Sequence, residues 1–336
     1  MSSVILALED GRTERVELAK SDLIDNYLFG DRGDIVGAII PAGVTTIGDE
    51  AFTECTSLVS VTIPESVRTI GYEAFYKCGL LASVTIPDGV TTIGSSTFCE
   101  CSSLASVTIP EGVTTIGAFA FAGCSSLTSV TIPEGVRTID YASFNYCISF
   151  TSLTIPSGVT TIEEEAFCEC TSLTSMIISE GVKTIGRMAF RWCSSLTSLS
   201  IPSGVMTIGD VAFAGCTLLT SVTITDPMTQ IYSTSFSDCD RINRVFIHDS
   251  VTIIFPGGEE RKLRELYRRR PAWAHVFPSC PAANIKWPTS LRERYEAGFV
   301  DRATAITTLA SLLSQPVPRE VIAKITGLRA GDFGRE

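Results

Sequence analysis

The sequence has few of the residues on which catalysis and metal binding usually depend. Only 2 of its 336 residues are histidine, His248 and His275, and neither has a second ligand or an acid–base partner at a recognisable spacing. No glycine-rich phosphate loop follows a predicted strand, and no nucleophile-elbow pattern occurs. We therefore expect a noncatalytic protein with no cofactor and no bound metal.

The sequence also lacks the segments that direct a chain into or across a membrane. No stretch approaches the roughly 18 apolar residues of a membrane-spanning helix. The N-terminal apolar run is short and acidic residues follow it at once, which is not the pattern of a secretory signal. No Asn-x-Ser/Thr acceptor for glycosylation occurs. These absences predict a soluble intracellular protein, cytoplasmic in location, with no membrane partner.

The net charge of −11 is spread unevenly along the chain. Residues 255–336 hold 14 Lys and Arg against 9 Asp and Glu, a net charge of +5, and residues 1–254 hold the remaining 12 against 28, a net charge of −16. An acidic body repels nucleic acid and anionic membrane surfaces. The basic C-terminal part could bind either of these or dock on an acidic surface, but neither pattern is strong, and we expect no nucleic acid partner.

What the sequence does contain is a repeat of 23 residues. Phenylalanine, cysteine and isoleucine each recur at this interval through nine repeats without an insertion or a deletion. A fixed period of this length indicates a solenoid, in which each repeat buries its apolar side chains against its neighbours. The phenylalanine column is Phe52, Phe75, Phe98, Phe121, Phe144, Phe167, Phe190, Phe213 and Phe236, and the cysteine column lies three residues after it, from Cys55 to Cys239.

Each repeat reads L-x-x-V-x-I-P-x-x-V-x-x-I-G-x-x-A-F-x-x-C-x-x. The alternation in its first part predicts a strand of a parallel sheet, which the proline ends because it cannot donate a backbone hydrogen bond. The Ala-Phe-x-x-Cys spacing predicts one short 3-10 or α turn on the other side of the repeat. The sequence thus predicts a repeat solenoid that is rich in β-structure.

The segments SVTIPEGVTTIG and AFAGC, with their neighbours, resemble the repeats of the BspA-like, or Treponema-type, leucine-rich repeat family. The likeness covers roughly residues 35–254. It implies a curved right-handed solenoid of the α/β leucine-rich repeat class, with a parallel sheet on its concave side. Members of the family are often surface or adhesion proteins that bind host proteins, and some are intracellular.

We expect three parts in the chain. Residues 1–34 form an N-terminal cap with a hairpin around Glu9-Asp10-Gly11, because a solenoid end exposes apolar surface. Residues 35–254 form nine full repeats and a partial tenth. Residues 255–336 form a basic helical subdomain, and the sequence leaves open whether it caps the solenoid or recruits a partner of its own.

The 12 cysteines favour buried thiols over disulfides. Nine of them occupy one column beside the phenylalanine column, where a free cysteine serves as a small apolar side chain. Stacked side chains point in parallel, which is the wrong geometry for a disulfide. Cys99, Cys168 and Cys280 lie outside the column. Cys99 and Cys168 each form a Cys-x-Cys pair with a column cysteine, Cys101 and Cys170. The two pairs are three repeats, or about 14 Å at roughly 4.8 Å per strand, apart, which is too far for them to share one metal ion.

Three sets of surface positions are candidates for binding. Serine and threonine fill the outward positions of the strands and predict a smooth hydroxyl face. An acidic stripe follows the proline of each repeat, either as solvated turn residues or as an attraction for a basic partner. The hydroxyl face runs from Ser60 and Thr62 to Ser221 and Thr223, and the acidic stripe holds Glu65, Asp88, Glu111, Glu134 and Glu180, with Asp226 and Asp249 further on.

The third set consists of positions between the glycine and the cysteine of each repeat that vary freely. Aromatic residues and arginine are enriched at binding hot spots, and they occur here within three neighbouring repeats. The predicted partner-binding residues are Tyr141, Tyr146, Arg187, Met188, Arg191 and Trp192. The main hypothesis is a noncatalytic protein–protein interaction scaffold, and the alternative is a surface or secreted adhesin that binds host or matrix proteins.

Overall fold

The structure of the chain is a computed structural model that describes residues 2–224, 229–247, 252–254, 276–277 and 285–286. The described residues form a parallel β-solenoid, as predicted, and each turn of the solenoid, here called a rung, is one 23-residue repeat. Residues 2–224 and 229–247 contain no helix, and the Ala-Phe-x-x-Cys segments are short hydrogen-bonded turns.

Most rungs contribute two short strands, whereas residues 129–131 form no front strand. Most front strands contain the Ser-Val-Thr segment of the repeat or its Ser-Leu variants. The valine or leucine points into the core, and the flanking serine and threonine side chains point outward. The front strands are β4 (Ile35–Ile39), β6 (Ser60–Thr62), β8 (Ser83–Thr85), β10 (Ser106–Thr108), β13 (Ser152–Ile155), β15 (Ser175–Ile178), β17 (Ser198–Ile201), β19 (Ser221–Ile224) and β21 (Arg244–Ile247).

Most of the back strands are Thr-Ile pairs, whose sequence pattern did not predict a sheet. They form one continuous 11-stranded parallel sheet, whereas the front strands pair in four separate groups. The back strands are β3 (Leu23–Ile24), β5 (Thr46–Ile47), β7 (Thr69–Ile70), β9 (Thr92–Ile93), β11 (Thr115–Ile116), β12 (Thr138–Ile139), β14 (Thr161–Ile162), β16 (Thr184–Ile185), β18 (Thr207–Ile208), β20 (Gln230–Tyr232) and β22 (Thr252–Ile254).

The phenylalanine column forms the centre of the core. From Phe52 to Phe236 the rings of neighbouring rungs stack with centroids 5.3 to 5.5 Å apart and planes within 12° of parallel. The stack is longer than the sequence repeat, because Phe29 lies 4.8 Å from Phe52 and Phe277 lies 5.0 Å from Phe236.

The predicted column of buried thiols is confirmed. All nine of its cysteines are buried and free. Each donates its S–H to the carbonyl of a phenylalanine 26 residues earlier, at Sγ–O distances of 3.1 to 3.5 Å. A disulfide between two neighbouring rungs would break two of these hydrogen bonds, so the thiol form belongs to the packed core.

The two ends of the ladder differ from the repeats. At the N-terminal end, β1 (Ser3–Leu8) and β2 (Thr13–Glu17) form an antiparallel hairpin, and β1 pairs antiparallel with the first front strand. At the other end, β23 (Ile285–Lys286) pairs in parallel with β21. Apart from residues 276–277 and 285–286, the basic helical subdomain predicted for residues 255–336 lies outside the described residues.

Candidate interaction surface

The turn face is formed by the segment of each rung that runs from the end of the back strand to the cysteine, such as residues 71–78. Its backbone amides bond in two directions. Glu73, Phe75 and Lys77 donate to carbonyls of the next rung at 2.8 to 3.2 Å, and the residues between them donate to carbonyls three positions earlier in their own rung. Both sets recur from rung to rung, so the turn face is a hydrogen-bonded ladder and not a series of free loops.

Two columns of the turn face have a left-handed backbone. All 17 described non-glycine residues with positive φ fall in the columns of Glu73 (φ 51°) and Lys77 (φ 56°), and they include the bulky Trp192 and the β-branched Val211. This conformation is unfavourable for such residues. The ladder of hydrogen bonds imposes it, and it fixes the direction in which each side chain leaves the surface.

The structure places the six predicted partner-binding residues on this face, in two rungs separated by a third. Tyr141 and Tyr146 belong to the rung of Phe144, and the other four belong to the rung of Phe190. Tyr146 and Trp192 share one column, two rung heights apart. The aromatic set is larger than predicted, because Phe119 packs edge-on against Tyr141 with ring centroids 5.0 Å apart.

The two arginines of the surface have different environments. Arg187 forms an ion pair with Glu164 in the preceding rung at 2.6 Å and lies 3.9 Å from Asp210 in the following rung. Arg191 instead places its guanidinium carbon 3.7 Å from the centre of the Trp192 ring, and its Nη1 lies 3.8 Å from Met188 Sδ. Arg187 therefore ties three rungs together, whereas Arg191 is held by an aromatic ring.

The position of the Trp192 ring depends on a glycine in the next rung. A Cβ added at Gly215 would lie 2.2 Å from Trp192 Cδ1 and 2.9 Å from Nε1, so no other residue leaves room for this edge of the ring. Arg191 covers a face of the indole, yet 41% of Trp192 remains exposed. The exposed part of the ring is available to a partner, and the sequence alone did not indicate this arrangement.

Between the aromatic rung and the arginine rung lies a rung of carboxylates. Glu165 accepts a hydrogen bond from Asn145 Nδ2 at 3.2 Å. The carboxylate of Glu169 beside the Tyr146 hydroxyl raises the pKa of Tyr146. With Glu164 paired to Arg187, two of the four carboxylates in this rung have a partner inside the protein.

The acidic stripe lies on a different side of the solenoid from the predicted partner-binding residues. It follows the front strands, whereas the turn face follows the back strands, so the back sheet separates the two. All five predicted residues are exposed. Glu134 accepts hydrogen bonds from Ser157 and Gly158 of the next rung, at 2.9 and 3.1 Å, and none of the five forms an ion pair with another described residue.

The outward side of the front strands is exposed along most of its length, as the alternation predicted. Apolar side chains interrupt the hydroxyl groups at few places, among them Ile177, which is 64% exposed. Among the residues that the structure describes, no group of three or more His, Cys, Asp or Glu could hold a metal ion. Nor does this part of the chain contain a helix with the length and apolarity to cross a bilayer.

Replacing Gly215 with alanine is expected to displace the Trp192 ring and to lower the free energy of unfolding by about 1 kcal/mol or more, because the backbone is left-handed and the new Cβ overlaps the ring. Tryptophan fluorescence, compared with that of Trp192→Phe, measures the displacement. The matched control is Gly123→Ala, in the same column at φ +72°, where the new Cβ would meet only Glu100. Equal spectra for the two alanine variants would contradict the packing of Trp192 on Gly215.

Comparison with known proteins identifies the repeats. Residues 22–151 and 137–257 match the family model of the BspA type leucine-rich repeat region, with six copies. A search of curated proteins found no match. Among solved structures, a leucine-rich repeat protein from Bacteroides ovatus is 26% identical, with a TM-score of 0.53 and coverage of 77% of this chain and 78% of that one.

Two further structures align with lower TM-scores. A leucine-rich repeat protein from T. pallidum is 25% identical over 74% of this chain and 90% of its own, with a TM-score of 0.36. A leucine-rich cell surface protein from Faecalibacterium prausnitzii is 24% identical over 79% and 95%, with a TM-score of 0.35. The family model covers well over half of the sequence, and the chain therefore belongs to the BspA-type leucine-rich repeat family.

Proposed function

We propose that this protein is a noncatalytic scaffold that recognises a protein partner through its turn face. The observation that carries the proposal is a set of exposed aromatic side chains and the exposed Arg187, with the half-buried Met188 and Arg191 beside them, on a hydrogen-bonded backbone. Tyr141, Tyr146 and Trp192 are 37%, 51% and 41% exposed. Tryptophan, tyrosine and arginine are the residues that most often contribute large shares of binding energy.

The rigidity of this face supports the proposal. Binding costs free energy when side chains and loops must be ordered. Here the left-handed backbone and the bonds between rungs set the side-chain directions before a partner arrives. Arg191 is stacked on Trp192 and Arg187 is paired with Glu164, so two long side chains are already ordered.

The other two surfaces have weaker support. The hydroxyl face has serine and threonine, which are under-represented among hot spots. The acidic stripe consists of exposed carboxylates along the solenoid, whose long-range attraction is reduced by salt. Both could serve as secondary contacts for a partner that is bound on the turn face.

An intracellular, cytoplasmic location is part of the proposal, and the core chemistry supports it. The cysteine column uses nine thiols as hydrogen-bond donors, and thiols persist in a reducing compartment. Fractionation of the source cells tests this part. Recovery at the cell surface or in the medium would favour the alternative, an adhesin that binds host or matrix proteins.

A crosslinking pull-down from source-cell lysate tests the binding surface. The baits are the wild-type protein and a variant with Tyr141, Tyr146, Arg187 and Trp192 changed to serine. We expect a partner that the wild type retains and the variant loses, because the four changes remove the exposed aromatic rings and one guanidinium.

The matched control for the pull-down carries Thr85→Ala, Thr108→Ala and Thr131→Ala on the hydroxyl face. Circular dichroism of both variants establishes that they are folded. A partner that the turn-face variant retains and the hydroxyl-face variant loses would contradict the proposal and would move the binding site to the front strands.

A further inference from the structure

We propose that Arg191 is the anchor of the turn face for a carboxylate, and that the partner presents this group as an aspartate or glutamate side chain in an extended peptide segment. The inference rests on the proposed function and adds to it the chemistry of the partner. It follows from three features: the position of the guanidinium, the absence of a carboxylate partner for it among the described residues, and the charges of the neighbouring rungs.

The guanidinium of Arg191 is ordered by stacking and not by an ion pair. Its central carbon lies 3.7 Å from the centre of the Trp192 ring, and the Cδ1 edge of that ring lies beside Gly215. A stacked guanidinium keeps its N–H groups in the plane, where they are available to an acceptor. The contact from Nη1 to Met188 Sδ, at 3.8 Å, is with a weak acceptor.

No described carboxylate forms an ion pair with Arg191, although acidic residues lie on the rungs on both sides of it. Glu164 is paired with Arg187, which also approaches Asp210. Glu165 accepts a hydrogen bond from Asn145, and Glu169 lies beside the hydroxyl of Tyr146, whose pKa it raises. The contrast with Lys77 is informative, because that cation of the turn face pairs with Glu54 at 2.9 Å.

An aspartate or glutamate fits this site because two parallel N–H groups of a guanidinium match the two oxygens of a carboxylate. The neighbouring carboxylates limit the negative charge that a peptide segment bound at Arg191 can carry. Glu163, Glu165 and Glu169 belong to the rung that precedes the rung of Arg191, and neighbouring rungs are about 5 Å apart. A second acidic residue on that side would be repelled, so the segment carries one carboxylate at Arg191 and a neutral or basic residue toward the glutamates.

The same charges argue against nucleic acid at this site. Nucleic acid brings a phosphate charge at every nucleotide, whereas residues 1–254 carry a net charge of −16. A single carboxylate on an otherwise uncharged or basic segment avoids this repulsion. The exposed edge of Trp192 and the rings of Tyr141 and Tyr146 offer contact for apolar side chains of the same segment.

Selection from a phage-displayed library of random dodecapeptides tests the inference. The full chain is the target, and Arg191→Ala is used to subtract binders that do not need the guanidinium. We expect the remaining peptides to share one Asp or Glu. Changing that residue to Asn or Gln is expected to weaken binding by about 10-fold to 30-fold, as for other charge-assisted hot spots.

A double-mutant cycle identifies the pair directly. Binding of the acidic peptide and of its Asn or Gln form is measured by titration calorimetry with the wild type, Arg191→Ala and Arg191→Lys. The two changes should not be additive, and lysine should restore only part of the affinity because it lacks the planar pair of donors. Lys77→Ala, which removes a cation that already has a partner, should leave the affinity unchanged.

The outcomes separate the inference from the proposed function. Peptides that need Tyr146 and Trp192 but contain no acidic residue, or that bind Arg191→Ala equally well, would overturn the inference and leave the proposed function standing. Displacement of the peptide by inorganic phosphate at equal concentration would also overturn it. A library that yields no binder dependent on the turn face would contradict both.

Discussion

Replacing Phe144 with alanine is expected to lower the free energy of unfolding by about 3–5 kcal/mol, as for other fully buried aromatic residues. The ring is completely buried, with Phe121 and Phe167 each 5.3 Å away on its two sides and Phe150 edge-on at 6.0 Å. Its loss would leave a cavity in the middle of the stack, where rungs on both sides are held in place. Urea unfolding followed by circular dichroism measures the change.

The control for this substitution is Tyr146→Ala on the same rung. Tyr146 is 51% exposed, and changes at exposed positions usually alter stability by about 0.5 kcal/mol or less. Because repeats interact mainly with their neighbours, the Phe144 variant could also unfold in two steps, with the break at its own rung. If the Phe144 variant unfolds in one transition with the same free energy of unfolding as the wild type, the stacked core is contradicted.

Raising the pH from 7 to 10 is expected to unfold the solenoid through its buried thiols. Burial raises the pKa of Cys101, Cys124 and Cys147 well above the ordinary value, and it raises the pKa of Cys55 to about 12. In the unfolded chain a thiol loses its proton near pH 8.5. The unfolded state then binds fewer protons than the native state, so stability falls as the pH rises above about 8.5 and is unaffected by these groups below it.

The size of this effect comes from the number of thiols. Each buried thiol contributes roughly 1 kcal/mol per pH unit above the unfolded pKa. Eight of the nine column cysteines have a raised pKa, Cys216 through a hydrogen bond with Cys239 together with burial and the others through burial. Their sum is comparable with the whole stability of a typical domain, about 5–15 kcal/mol. Urea titrations at intervals between pH 7 and 10 measure the slope.

A variant with alanine at Cys124, Cys147 and Cys170 provides the control. It is less stable at pH 7, because it loses three hydrogen bonds to phenylalanine carbonyls, but its stability should depend on pH about one third less steeply. Tyrosine and lysine titrate identically in both proteins, so the comparison isolates the thiols. The same slope in both proteins would show that the thiols are not the cause of alkaline unfolding.

The core could be predicted from the sequence because packing imposes the same environment on every rung. A phenylalanine that stacks on the phenylalanine of the next rung, such as Phe167 on Phe190, needs the same residue at the same interval. The front strands and the buried thiols follow from the same repetition. The back sheet was missed, because a two-residue Thr-Ile strand is too short to show an alternating pattern.

The candidate surface was only partly predictable. The sequence located the varying positions, including Tyr141, Tyr146 and Trp192, because residues that do not pack are free to differ between rungs. It did not indicate the left-handed backbone, since glutamate, methionine and tryptophan at those positions are not the glycine or asparagine that usually mark it. It also did not distinguish Arg187 from Arg191, whose surroundings depend on the neighbouring rungs.

The repeat, its 23-residue period and the identity of the core columns follow from the sequence alone, because these are properties of the single repeat and its equal neighbours. The direction of a turn-face side chain and the charges near it became visible only in the stacked rungs. Those depend on hydrogen bonds and ion pairs to residues about 23 positions away, such as the pair of Arg187 with Glu164. Contacts of that kind form only between stacked rungs, so they cannot be predicted from the sequence of one repeat.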